Sequence, residues 1–223
     1  MTPRELIGIA EVPGGEPLRL FRRGSDFMIV LDRNELMSTR MRGSEIALGT
    51  IACERLAGCS APHVLIGGYG MGFTLRAVLG KLGQDARVTV VELVSGIIDW
   101  AKGPMAELTA GCLDDRRVTL KMGDVAATIR SSPREFDAIL LDVDNGPDGL
   151  TRPANDGIYT SRGLIEGKAA LRPGGVLAIW SAAPDPAFSR RLARTGFAVD
   201  ELRVRARENG KGPAHVIWFA KSV

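Results

Sequence analysis

Read by the spacing of its apolar positions, the chain changes character once. Residues 17–32, PLRLFRRGSDFMIVLD, read as two short strands around Arg23-Gly24-Ser25, a hairpin signal. Residues 43–57 have helical spacing, with Ile46, Leu48, Ile51, Ala52 and Leu56 as the apolar positions and Gly43 or Ser44 able to begin the helix. From residue 63 onward, apolar runs at 64–68, 87–93, 117–124, 136–144 and 174–182 alternate with helical stretches near 73–82, 95–109, 124–131, 159–171 and 186–195. Continuous apolar strands alternating with helices predict a parallel sheet covered on both faces. Residues 197–222 give two more strands joined by a Gly-, Asn- and Pro-rich turn too short for a helix, so these two run antiparallel. The expected fold is α/β: a Rossmann-like, doubly wound, mostly parallel seven-stranded sheet with a C-terminal antiparallel hairpin, preceded by a small N-terminal β-hairpin. We expect a small β segment over residues 1–42 and the main domain over 43–223.

Composition changes this picture little. The 223 residues suffice for one sizeable core. A net charge of +3, from 29 basic and 26 acidic side chains, is too balanced to argue for a nucleic-acid partner. The clusters Arg40/Arg42 and Arg190/Arg191/Arg194 read as solvated helix faces. Three cysteines without a CxxC pair argue against a disulfide framework and against structural zinc, so reduced thiols in a cytoplasmic protein are expected. Neither a membrane-spanning run nor a signal-peptide pattern is found, so no membrane partner is expected. His63 and His215 are isolated on strands and read as satisfied or solvent-facing; nothing points to a metal.

The candidate chemistry lies where strands end, because ligands of such sheets bind outside the strands' carboxyl ends. The first strand runs into Gly67-Gly68-Tyr69-Gly70-Met71-Gly72. This loop matches neither G-x-G-x-x-G nor a Walker phosphate loop. The second strand ends in Glu92-Leu93, and an acid about 20 residues beyond a glycine loop can hold ribose hydroxyls. The third ends in Gly123-Asp124-Val125, where a carboxylate and the next backbone amide can bind an adenine edge. The fourth ends in Asp142-Val143-Asp144-Asn145-Gly146-Pro147, two carboxylates opening a Gly-Pro loop. Each has a plainer structural reading as a glycine turn, a helix cap or an Asx-rich turn. Together they describe a site for adenosine whose 5′ position carries something other than phosphate: S-adenosylmethionine (AdoMet) or a derivative.

The order of these pieces resembles the spermidine synthase family within the class I AdoMet-dependent transferases. The resemblance covers about residues 17–182 and rests on VLIGGYGMG, VVEL, LDDRRVTLKMGDV, FDAILLDVDNGP and IYTSRGLIEGKAALRPGGVLAIW. It implies that the N-terminal strands are a reduced version of the family's β-domain, which supports a homodimer. The sequence also departs from the family. The family's loop carries an acid in a GGGDG pattern, where this chain has Gly-Tyr-Gly-Met-Gly. In the family's acidic loop Asp142 matches the first acid, but the second falls on Asn145, beside Asp144. The family's polyamine-contacting segment is not recognisable, with Ser44-Glu45 as its candidate remnant.

These features assign the donor site to Gly67, Gly68, Gly70, Met71, Gly72, Glu92, Leu93, Asp124, Val125 and Asp142, with Tyr69 and Met71 placed over the donor. Asp142, assisted by Asp144, is the candidate general base, since adjacent acids push one pKa upward. Tyr159 completes the candidate catalytic set, and with Trp180 it is placed at the wall of the acceptor pocket. Loss of the loop acid leads us to expect methyl transfer from AdoMet to a small amine or other small metabolite. The rival readings are aminopropyl transfer from decarboxylated AdoMet to a polyamine, and a non-catalytic AdoMet-binding homologue.

Overall fold

The computed structural model describes residues 3–143 and 156–222. Its N-terminal segment is a four-stranded antiparallel meander, β1 (Glu5–Ala10), β2 (Leu18–Arg23), β3 (Asp26–Leu31) and β4 (Asn34–Ser38), in that spatial order. The middle pair is the predicted hairpin, turning at Gly24, whose φ of +63° suits glycine. The flanking strands escaped the pattern for local reasons. β1 carries Gly8, where its register against β2 shifts, and β4 has five residues, of which the first two are exposed.

Helix α1 (Gly43–Glu54) leads into the main sheet, which begins with β5 (His63–Gly67), α2 (Phe73–Lys81), β6 (Arg87–Glu92), α3 (Ser95–Lys102) and α4 (Ala106–Thr109). It continues with β7 (Val118–Met122), α5 (Val125–Ser131), β8 (Phe136–Leu141), α6 (Asp156–Tyr159) and α7 (Ser161–Ala170). β9 (Leu171–Ser181), α8 (Pro186–Arg194), β10 (Phe197–Arg205) and β11 (Ala214–Ser222) complete it. The seven strands lie in the order β10-β11-β9-β8-β5-β6-β7. All neighbours are parallel except β11, which is antiparallel to both β9 and β10, as the sequence pattern predicts. The chain builds outward from β5 to β7, then returns to β8 on the other side. The crevice of such a switch point opens at the carboxyl ends of β5 and β8.

Two predicted helices are each split. The stretch 95–109 breaks at Gly103-Pro104, because proline has no N–H for the helical ladder; the Met105 amide instead reaches the Trp100 carbonyl, five residues back. The stretch 159–171 breaks at Thr160, whose hydroxyl caps α7 by accepting from the Gly163 amide.

Alternation along the strands sends Val64 and Ile66 to one face of the sheet and Leu65 to the other. The first face shares one core with Leu20 and Ile29 of the small sheet and with Leu48 of α1. The second packs on α5, α7 and α8 through Ile129, Leu164 and Phe188. Both faces are thus apolar, which is why the strand runs are continuous. Among the described residues no helix is long and apolar enough to cross a membrane.

Candidate active site

The carboxyl ends of β5 to β8 face the small sheet across a cavity. The small sheet gives it an apolar wall, Leu18, Ile29, Leu31, Leu36 and Met37, and the main sheet gives it loops and carboxylates. Of the donor residues expected from sequence, Gly68, Gly70, Glu92, Leu93, Asp124, Val125 and Asp142 line it. Gly68 must be glycine: its φ is +84°, and an added Cβ would lie 2.5 Å from the Asp142 carbonyl oxygen. Gly123 lines the cavity as well, and a Cβ there would meet no protein atom within 4 Å, so this wall leaves room for a flat group beside the backbone.

Glu92 is buried and braces the loop. One carboxylate oxygen accepts from the Tyr69 amide at 2.8 Å, and the other from the Val94 amide at 2.8 Å. Burial raises its pKa while these amides lower it. Each oxygen keeps a further lone pair for a ligand hydroxyl. Asp124 caps α5, accepting from the Ala126 amide at 2.8 Å, and is also among the residues that line the cavity.

Other expected residues lie elsewhere. Met71 is fully buried in the core and Tyr69 nearly so, and neither lines this cavity. The Tyr69 hydroxyl pairs with the Cys112 sulfur and sits 2.7 Å from where a Gly72 Cβ would be, so Gly72 makes room for the ring. Gly67 is wedged against Val125 and Leu141. Three of the ten donor residues therefore build the loop from beneath. Tyr159 is buried, donates to the Val143 carbonyl at 3.1 Å and packs edge-on against Phe188. It supports the end of β8 and does not line either cavity. Asp144 lies outside the described residues.

A second cavity adjoins the first and shares Leu36, Met37 and Asp142 with it. Its other walls are Glu35, Met41, Glu45, Trp180, Ala182 and His215. Trp180 is buried and lines this second cavity. His215, read as merely satisfied or exposed, is buried here, its Nδ1 2.8 Å from the Ser44 hydroxyl and its ring edge-on to Trp180. Burial lowers its pKa, so the ring is neutral near pH 7. Asp142 sits at the junction, one oxygen accepting from the Thr74 hydroxyl at 2.9 Å. Burial raises its pKa to about 6, a value suited to a base working near neutrality. Glu45, from the first turn of α1, is buried, and burial together with the Asp142 carboxylate pushes its pKa well above the usual range. Sequence spacing could not place Glu45 beside Asp142, nor Glu35 in the same cavity; only the Ser44-Glu45 pair hinted at it.

Comparison with known proteins converges on one family. Residues 52–190 match the spermine/spermidine synthase domain. A polyamine aminopropyltransferase of Mycobacterium tuberculosis is 28% identical over 194 residues, covering 82% of this chain and 35% of that protein. One from Sulfolobus acidocaldarius is 32% identical over 131 residues, covering 57% of this chain and 40% of that protein. The chain thus spans well under half the length of these relatives. Among solved structures, spermidine synthase from Thermotoga maritima superposes with a TM-score of 0.76 at 19% identity, covering 98% of this chain and 73% of that one. The glycine loop, the Glu92 and Asp124 strand ends and the Asp142 junction lie within or beside that architecture, and the chain belongs to the spermine/spermidine synthase domain family.

Proposed function

We propose that this chain catalyses aminopropyl transfer from decarboxylated AdoMet to a small amine. The observation that carries this reading is the charge of the donor cavity. Its charged lining residues among those described are Glu16, Glu92, Asp124 and Asp142, all acidic, with no Arg, Lys or His. A sulfonium and a primary ammonium both suit such a lining. The carboxylate of intact AdoMet would meet four acids and no cation. The names of the matched relatives, polyamine aminopropyltransferases, support the same choice, as does the likeness to a spermidine synthase solved with the transition-state analogue AdoDATO.

Methyl transfer, expected from the missing loop acid, is therefore not supported. That expectation rests on Met71, in place of the loop acid, making the pocket tolerant of a carboxylate. Met71 instead turns into the core, and acids from other elements, Glu16 before β2 and Asp142 after β8, keep the cavity negative.

The two cavities meet at Asp142, which fits in-line displacement. The donor's sulfonium makes its adjacent propyl carbon electrophilic. Asp142 takes a proton from the acceptor ammonium; the freed nitrogen lone pair forms the new C–N bond as the C–S bond breaks. The electron pair of that bond stays on sulfur, and 5′-methylthioadenosine leaves as a neutral thioether. Thr74 holds the Asp142 carboxylate in place, and Glu92 fixes the loop against which the nucleoside rests.

Calorimetric titration with decarboxylated AdoMet and with AdoMet, followed by assay of methylthioadenosine release with 1,4-diaminobutane, tests the reading. Tighter binding of the decarboxylated donor and amine-dependent release of the thioether are expected. Preference for AdoMet, or methylation of the amine, would overturn it.

A further inference from the structure

The acceptor cavity holds a carboxyl group that the transfer mechanism has not used. Glu45 is only 7% exposed, and among the described residues its side chain makes no hydrogen bond or salt bridge, although it lines the cavity. An unpaired buried carboxylate is costly. The groups around it do not relieve that cost. From β4 comes Glu35, from the end of β8 Asp142, from β9 Trp180 and from β11 His215; no Lys or Arg lines this cavity among the described residues. From α2, the Thr74 hydroxyl lies 2.9 Å from an Asp142 carboxylate oxygen and 3.3 Å from the Glu45 backbone carbonyl, which sets the Asp142 carboxylate against the first turn of α1 that carries Glu45. Two neighbouring acids in such a place cannot both ionise without a cation, and the missing positive charge is either a proton or a ligand.

Resting on the reading that this cavity takes the acceptor amine, we propose that Glu45 and Asp142 hold one proton between them in the resting protein and exchange it for the ammonium group of an alkylamine acceptor. Amine binding and proton release are then one event. The charge balances: a pair carrying one proton has charge −1, and two carboxylates around one ammonium also have −1. The exchange leaves Asp142 ionised and beside the ammonium, which is the state needed to remove a proton for attack. Glu45 stays ionised and stabilises the secondary ammonium that the new bond creates. The cavity therefore selects amines that are cationic in water and excludes neutral hydroxyl acceptors, which bring no charge to replace the proton.

The test is calorimetric titration with 1,4-diaminobutane at pH 7, with and without 5′-methylthioadenosine, in two buffers of different ionisation enthalpy. Wild type is expected to release about one proton per amine bound. Glu45→Gln should release almost none and bind the amine about tenfold or more weakly, with methylthioadenosine affinity unchanged. Infrared spectra of the wild type give a second readout that needs no variant: a protonated-carboxyl band should vanish when the amine binds. Amine binding without proton release, a band that persists, or failure of the wild type to bind the amine would each overturn the proposal. Loss of methylthioadenosine binding with proton exchange intact would instead count against the donor reading alone.

Discussion

The two cavities share Asp142, Leu36 and Met37, yet they are built on opposite principles. Apart from Glu16 before β2, the donor cavity takes its polar groups from strand ends of one parallel sheet, β5, β6, β7 and β8. The acceptor cavity collects single residues from β4, α1, β9 and β11, so Glu35 and His215 stand at opposite ends of the chain. The first is specified by topology, and its residues follow one strand end after another along the sequence. The second is specified by packing between the small sheet, the first helix and the C-terminal hairpin. The difference predicts that substitutions away from the three shared residues should separate into donor-specific and acceptor-specific effects.

Asp142→Asn gives the largest expected effect. Removing a general base lowers the rate of single-turnover methylthioadenosine formation by about 10²–10⁴-fold. Affinity for the decarboxylated donor should change little, since Asp142 is one of four acids in that cavity. A turnover within a few-fold of wild type would remove Asp142 from the chemistry and break the comparison at its centre.

Glu92→Gln comes next. The amide keeps the size of the side chain but exchanges an acceptor oxygen for a donor at either the Tyr69 or the Val94 amide. Loss of a charge-assisted hydrogen bond costs on the order of 1.5–3 kcal/mol, so donor affinity should fall roughly 10- to 100-fold. The KM for the amine at saturating donor should hold. If both parameters move together, the glycine loop transmits strain to Asp142 and the two sites are not separable.

The unevenness of these sites explains what the sequence could and could not reveal. The succession of strands and helices, the antiparallel hairpin and the polar residues at strand ends are legible because periodicity and glycine placement are local signals. The fate of the loop side chains was not. Tyr69 and Met71 sit between glycines in a presumed ligand loop, yet the positive φ values of Gly68, Gly70 and Gly72 fold both side chains down into the core. The edge strands β1 and β4 were missed because one holds a glycine and a register shift and the other is short and half exposed. Glu45 is legible only as a candidate remnant of the polyamine-contacting segment: its meeting with a carboxylate 97 positions away is encoded by no local pattern.

A stability measurement sharpens the comparison further. The Asp142 carboxyl has its pKa raised from 3.8 to about 6 by burial. Below about pH 3 the group is protonated in both folded and unfolded chains and contributes nothing. As pH rises from about 3 to 6 the unfolded chain loses the proton first, so stability falls, and it stays lower above pH 6. Glu45 is shifted in the same direction and extends the loss upward in pH. Asp142→Asn should therefore be more stable than wild type at pH 7, by about 3 kcal/mol in urea unfolding, and nearly equal to it at about pH 3. Equal stability at both values would mean the junction is not desolvated.

The smallest effect tests whether Asp124 belongs to the donor cavity or only to its own helix. Asp124 caps α5, and Asp185 caps α8 by accepting from the amides of Ala187 and Phe188 at 2.8 and 2.9 Å. Asp185 lines neither cavity. Replacing either residue by Ala removes a cap and should cost about 1 kcal/mol of stability. Only Asp124→Ala should also weaken donor binding, by a few-fold, because Asp124 lines the cavity as well as capping the helix. Because the two variants share the capping loss, the difference in donor affinity isolates the ligand contact. If both variants bind donor as wild type does, Asp124 is a cap and nothing more, and the donor cavity recognises its ligand through Glu92 and the glycine loop.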